Sequence, residues 1–190
     1  LNTLQRQAYE ARLDAQQVGP YRLKRLLGQG GMGAVYLAEH RLLKRPCAVK
    51  VIHPEMSANP LCVARFAREV QAVTSLTHLH TVRVYDYGQS DDGTFYYVME
   101  YLENGSLAGK LAKGPLTPTD SVRIATRICQ ALVHAHGSGI LHCDLKPDNI
   151  LLDQDVEPRL CDFGQSRLAD EHSHSLGTLF YMAPEQADLK

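Results

Sequence analysis

The chain has 190 residues, with 20 Lys and Arg against 21 Asp and Glu, a formal net charge of −1, and 44% hydrophobic and 22% charged residues. That composition fits one sizeable globular domain or two small lobes, and its charge balance excludes an electrostatic grip on nucleic acid or on an anionic membrane. No apolar run approaches a membrane span or reads as a signal peptide. The five cysteines, Cys47, Cys62, Cys129, Cys143 and Cys161, are odd in number and scattered. They are expected to be reduced thiols in a cytoplasmic setting, not a disulfide framework or a zinc site. The first residue is Leu1, and the chain is read as a piece of a longer protein.

Residues 1–17 are polar and helix-favouring until Gly19-Pro20, and read as a loosely attached leader. From Tyr21 the texture changes. YRLKRLL, broken by GQGGMG, then AVYLAEH and PCAVKVI read as three strands around a glycine turn. NPLCVARFAREVQAVTSL reads as a helix in which Leu61, Phe66, Val70, Val73 and Leu76 recur on one face. TVRVYDYG and TFYYVMEYL, separated by SDDG, read as two more strands, and ENGS opens a short helix.

LTPTDSVRIATRICQALVHAHG carries the clearest helical signals: Thr117 as N-cap, Pro118 in the first turn, Asp120 at the positive end of the dipole, and Gly137 and Gly139 at the close. Its apolar stripe is read as Val122, Ala125, Ile128, Cys129 and Leu132. Short strands ILHC, NILLD and PRLCD follow, then a polar loop. The order is five strands with one inserted helix, then a mostly helical part with small hairpins.

Gly28, Gly30 and Gly33 form G-x-G-x-x-G. Glycines let backbone amides approach phosphates. A dinucleotide fold needs a helix directly after them and an acid about 20 residues on. Here a strand pattern follows, and the notable later residue is the cation Lys50. A lysine inside an apolar strand calls for an anion, and Glu69, on the apolar helix face, is the candidate. In HCDLKPDN, Asp144 can accept or orient a hydroxyl proton, Lys146 can neutralise charge on a transferring group, and Asn149 is an oxygen ligand suited to Mg²⁺. Asp162, before a glycine in CDFG, supplies a second acid. Together these are the parts phosphoryl transfer requires.

GQGGMGAV, CAVK, Glu69, HCDLKPDN, DFG and APE, in this order from Tyr21 onward, resemble the eukaryotic-type protein kinase family. LKPDN and GTLFYMAPEQ look like its Ser/Thr branch, in wording closest to bacterial members. The resemblance implies an α+β, two-lobed fold. Residues 1–20 would be a leader, 21–102 a β-rich N-terminal lobe with one helix, and 103–190 a partial, mainly helical C-terminal lobe ending just after APE.

The resemblance further implies ATP and Mg²⁺ as cofactors and a protein with Ser or Thr acceptors as partner. Lys50 would hold the α and β phosphates and pair with Glu69. Asp144 would be the catalytic base, Lys146 would steady the γ-phosphate, and Asn149 and Asp162 would hold Mg²⁺. The turn Leu27, Gly28, Gln29, Gly30, Gly31, Met32 and Gly33 would cover the phosphates. Val35, Ala48 and Leu151 would sandwich adenine, Met99 would act as gatekeeper, Glu100 and Leu102 would offer backbone groups, and Ser106 would lie near the ribose. Thr178 would lie where the acceptor docks. Structural readings stand beside these: Met99 and Val35 as plain core, Ser106 as a helix cap.

Cys143 stands where the family more often has an Arg that pairs with a loop phosphate. A thiol cannot make that bidentate contact, so the family's phospho-switch is not expected to act through it. His172 and His174 read as solvated, and His78 and His80 as structural. The alternative from another class is a nucleotide-binding pseudokinase or scaffold. A partial C-terminal lobe would leave apolar surface that favours self-association.

Overall fold

A computed structural model describes residues 17–30, 33–53, 59–163, 167–168 and 179–184. The chain divides into two compact units, Leu1–Phe66 with Val84–Tyr101, and Ala67–Arg83 with Leu102–Lys190.

The first unit is built on one antiparallel six-stranded sheet: β1 (Gln17–Val18), β2 (Tyr21–Gln29), β3 (Gly33–His40), β4 (Pro46–Ile52), β5 (Val84–Gln89) and β6 (Phe95–Met99). The spatial order is β1-β2-β3-β4-β6-β5, so the last hairpin enters with β6 against β4. β4 is therefore internal. Its run of Cys47, Ala48 and Val49 is buried on both faces, as a β-branched and small-residue strand between two neighbours should be. One face packs Val18, Tyr21, Leu23, Ala38, Cys47, Val49, Tyr96 and Val98 into a core. Burial pushes the Cys47 thiol up to about 11, so it is an inert core residue. On Tyr97's side, Phe66 stands 5.8 Å from the Tyr97 ring and 6.0 Å from that of Phe95.

Two expectations change here. Gln17 and Val18 are not leader: they pair with Arg22 and Tyr21, and Val18 is buried. Gly19-Pro20 is the hairpin turn between β1 and β2. Gly19 has φ +55°, and a Cβ there would lie 2.3 Å from the Tyr96 hydroxyl, which occupies the space it leaves. The strand expected at TVRVYDYG starts only at Val84. Thr81 instead bridges Leu160 in parallel.

α1 spans Pro60–Ser75. Phe66, Glu69, Val70 and Val73 are buried along it and Leu76 just beyond it, as the spacing predicts, but Leu61 is 75% exposed. In the first turn of a helix, a residue can meet the right period and still project past the surface the helix covers.

The second unit contains α2 (Leu107–Leu111), α3 (Pro118–Gly137), β7 (Ile140–Leu141), β8 (Ile150–Leu152), β9 (Pro158–Leu160) and β10 (Arg167–Leu168). β8 and β9 form a hairpin, and β10 pairs with β7. The segment 76–83 runs beside β9, with Val82 N–H donating to the Leu160 carbonyl at 2.9 Å and Leu160 N–H to that of His80 at 2.8 Å. Thr117 caps α3 through the Asp120 N–H at 3.1 Å, and Pro118 opens the helix, as expected. The buried stripe differs: it is Ile124, Ile128, Ala131 and Ala135, whereas Val122 is 67% exposed and Cys129 and Ala125 are exposed. α3 carries apolar residues on two faces at helical spacing. Burial goes to the face whose small residues, Ala131 and Ala135, allow close packing. Among the described residues, no helix is long and apolar enough to cross a membrane.

Candidate active site

In the first unit, the glycines separate by what they are for. A Cβ on Gly33 would lie 2.2 Å from the Val51 carbonyl oxygen, because Gly33 pairs with Ile52 at the close approach of β3 and β4. Gly33 is thus demanded by the sheet itself. At Gly28 and Gly30 a Cβ would meet nothing within 4 Å, and neither residue has a left-handed φ. Among the described residues, no packing requires a glycine at either position. They leave open space beside the backbone, which lets a phosphate chain approach closely, while the Gly30 N–H donates to the Gly33 carbonyl at 2.8 Å. Gly31 and Met32 lie outside the described residues.

Lys50 projects from internal β4, opposite Val35 on one side and Tyr97 on the other. Its Nζ stands 5.7 Å from the Tyr97 ring centroid, within cation–π range. Glu69 is 1% exposed. It belongs to the second unit and Lys50 to the first, so the ion pair expected between them is left to experiment.

The candidate catalytic segment of the second unit runs from His142 to Asn149, between the buried Ile140 of β7 and Ile150 of β8. Asp144 is its centre. Lys146 Nζ donates to Asp144 Oδ2 at 2.7 Å. Asn149 Nδ2 donates to the same oxygen at 3.1 Å and to the Asp144 carbonyl at 2.8 Å. Pro147 sets the turn that makes this possible. Lys146 is held extended before it, and Pro147–Asn149 closes one helical turn that returns the Asn149 N–H to the Lys146 carbonyl at 3.0 Å. The carboxylate is therefore oriented and only slightly exposed, with side-chain exposures of 10% for Asp144 and 20% for Lys146.

His142, given no role from sequence, organises the segment. Its Nδ1 accepts the Asp144 N–H at 3.2 Å, so the ring proton sits on Nε2, 3.0 Å from the Cys161 carbonyl that receives it. Its ring lies 4.7 Å from that of Phe163. Burial holds the imidazole's pKa below its usual value, against the opposing pull of the Cys161 carbonyl. A neutral ring links the segment before β8 to the one after β9. Its presence in HCDLKPDN was the available signal.

The β8–β9 hairpin fixes the second acid. Ile150 pairs with Leu160, and Cys161 N–H donates to the Asn149 carbonyl at 2.9 Å. Asn149 and Asp162 therefore sit at the same end of the hairpin, one on each side. Asp162 has φ +60° and Cys143 φ +63°. Left-handed backbone at two non-glycine residues, one beside Asp144 and one at Asp162 itself, is strain of the kind concentrated at functional sites. The donor set fits Mg²⁺. Asn149 gives its amide nitrogen to Asp144, which leaves its oxygen prong turned away, and Asp162 adds a carboxylate. Mg²⁺ takes one or two such oxygens and completes its shell from phosphates and water. Among the described residues there is no cluster of three His, Cys, Asp or Glu that would suit a different metal.

Of the positions expected near adenine, Ala48, Met99 and Leu102 are buried, while Val35, Glu100 and Leu151 are half-buried. Ala48 and Met99 are cross-strand partners on β4 and β6. Leu27 is 37% exposed and Gln29 exposed at the end of β2. Ser106 takes the structural alternative at least in part: its hydroxyl caps α2 by accepting the Gly109 N–H at 3.2 Å, and its backbone bridges Leu151. Cys143 Sγ donates to the Leu141 carbonyl at 3.6 Å. Gly164, His172, His174, Thr178 and Glu185 lie outside the described residues.

The model of the protein kinase domain matches residues 21–188. The chain is 40% identical over 175 residues to the serine/threonine-protein kinase PrkC of Bacillus subtilis, covering 89% of this chain and 27% of the relative. It is 44% identical over 174 residues to PknH of Mycobacterium bovis, covering 88% and 29%, and 42% identical over 176 residues to PknD of Mycobacterium tuberculosis, covering 90% and 26%. It thus spans under a third of the length of these curated relatives. With the glycine turn, the Asp144 cluster and the Asp162 hairpin in the matched region, the chain belongs to the protein kinase domain family.

Proposed function

We propose that this chain carries the catalytic core of a Mg·ATP-dependent protein serine/threonine kinase. The observation that carries the reading is the Asp144 carboxylate bound by both Lys146 and Asn149. A scaffold has no use for an acid held by two side chains yet still reached by solvent, and this disfavours the pseudokinase alternative.

The space left open at Gly28 and Gly30 admits the phosphate chain, and the Lys50 ammonium binds it. Val35, Ala48 and Met99 of the first unit form an apolar wall for adenine, and Glu100 offers a backbone group to its edge. Asn149 and Asp162 hold Mg²⁺, which when bound neutralises charge on the phosphates. Asp144 orients the Ser or Thr hydroxyl of a protein acceptor. As that oxygen bonds to the γ-phosphorus and the bond to ADP breaks, the hydroxyl proton passes to the Asp144 carboxylate. Lys146 stands next to the same oxygen and offsets the charge on the moving phosphoryl group. The products are a phosphoprotein and ADP.

The test is transfer of ³²P from γ-labelled ATP to Ser and Thr of an added protein, with and without Mg²⁺. Acid-stable label that requires Mg²⁺ supports the reading. Absence of label, or label on a small molecule alone, defeats it.

A further inference from the structure

Arg123 lies on α3, far in sequence from Asn149 and Asp162, and contacts neither. Its guanidinium instead grips the far end of the hairpin that carries them. Nη1 donates to the Val156 carbonyl at 3.3 Å and to Glu157 Oε1, and Nη2 donates to Asp120 Oδ1 at 3.2 Å. Arg127 Nε stands 3.4 Å from Glu157 Oε2, so both oxygens of Glu157 face arginines of α3. Asp120 is in turn fixed by the Thr117 hydroxyl at 2.8 Å, at the capped start of that helix.

The hairpin tip is itself stiff. Asp153 Oδ1 accepts from the N–H groups of Asp155 at 3.0 Å and Glu157 at 2.9 Å, and Asp153 Oδ2 accepts from Arg159 at 3.2 Å. Asn104 donates to the Asp153 carbonyl at 2.5 Å. Each strand has only three residues, a lever of about 10 Å at about 3.3 Å per residue. A stiff lever that short carries displacement of its tip to its root, where Asn149 and Asp162 sit.

We infer that Arg123, acting through Glu157 and the Val156 carbonyl, is a positioning residue for the metal: it sets the pitch of the β8–β9 hairpin so that the Asn149 amide oxygen and the Asp162 carboxylate converge on one divalent cation. This rests on the kinase reading above. Arg123 and Glu157 are each 30% exposed, and ion pairs so exposed add little to global stability. Removing the guanidinium therefore acts on ligand geometry more than on folding, as changes behind metal ligands do elsewhere.

The experiment uses Mn²⁺ as probe in the full-length protein, with free Mn²⁺ read by electron paramagnetic resonance in the presence of ADP. ADP binding without metal and the urea unfolding midpoint are measured alongside. Arg123→Met keeps the aliphatic stem. It is expected to weaken Mn²⁺ binding about 10-fold, while metal-free ADP binding stays within about twofold and the midpoint barely moves. Arg123→Lys, which can reach Glu157 but cannot also hold the Val156 carbonyl, is expected to recover part of the loss. Glu157→Gln, nearly equal in volume, is expected to weaken Mn²⁺ binding in the same direction and serves if Arg123→Met does not fold. Unchanged Mn²⁺ affinity in the folded variants overturns the inference, as does an equal loss of metal-free ADP binding. A parent protein whose ADP binding ignores metal overturns the kinase reading, and this inference with it.

Discussion

Asn149 and Cys161 face each other at the root of the β8–β9 hairpin, the Cys161 N–H donating to the Asn149 carbonyl at 2.9 Å. This one bond ties the segment holding Asp144 to the backbone just before Asp162. The proposed catalytic acid and both proposed metal ligands therefore belong to one stiff piece of backbone, braced by His142 and Phe163 on one side.

The glycines of the turn should respond in opposite ways. Gly33→Ala brings a methyl to 2.2 Å from the Val51 carbonyl and should destabilise by about 2 kcal/mol, as overpacking does. Gly28→Ala and Gly30→Ala meet open space. They should change stability by no more than about 0.5 kcal/mol yet weaken ATP binding. Urea denaturation and nucleotide titration separate the two classes. Equal destabilisation by all three would show that the turn is packed and not open.

Val156 stands at the hairpin tip with φ +63°. A β-branched residue is strained there, by about 1–2 kcal/mol. Glycine adopts this conformation freely but loses more entropy on folding. Val156→Gly should therefore stabilise by a net of about 0.5–1 kcal/mol. A lower urea midpoint in this variant would mean that its side-chain contacts outweigh the strain.

Burial depresses the pKa of His142, and burial followed by the neighbouring His134 and His80 depresses that of His78. Both therefore bind a proton less readily when folded than when unfolded, where an imidazole takes one up near pH 6.5. Their contribution to stability is complete above that pH and is lost as pH falls below it, by at most about 1.4 kcal/mol per pH unit for His142. Stability measured from pH 7.5 to 5.5 should fall, and His142→Gln should flatten the slope. An imidazole of His142 that titrates at or above pH 6.5 by NMR would contradict this.

The features legible in the sequence are those set by neighbours in the chain. Thr117 and Pro118 announce α3 because a cap acts within one turn, and HCDLKPDN announces its cluster because Pro147 folds Asn149 back on Asp144. What stayed hidden depends on contacts far apart. α3 has two faces of helical period, and nothing local says that Ile124, Ile128, Ala131 and Ala135 are the buried one. Gln17 and Val18 become a strand only because β2 offers an edge to pair with. The link from Arg123 to Glu157 joins a helix to a turn whose backbone course, through left-handed Val156, no residue type there signals.

The account turns on Asp144 as the acid that handles the acceptor hydroxyl, separate from the groups that hold nucleotide. Asp144→Asn in the full-length protein tests it most directly, with ³²P transfer to Ser and Thr measured beside ADP affinity. The expected result is a loss of transfer of about 10²–10⁴-fold, the span of general acid–base contributions, with ADP affinity within about threefold of the parent. Transfer at the parental rate, or loss of transfer and of ADP binding together, would contradict it.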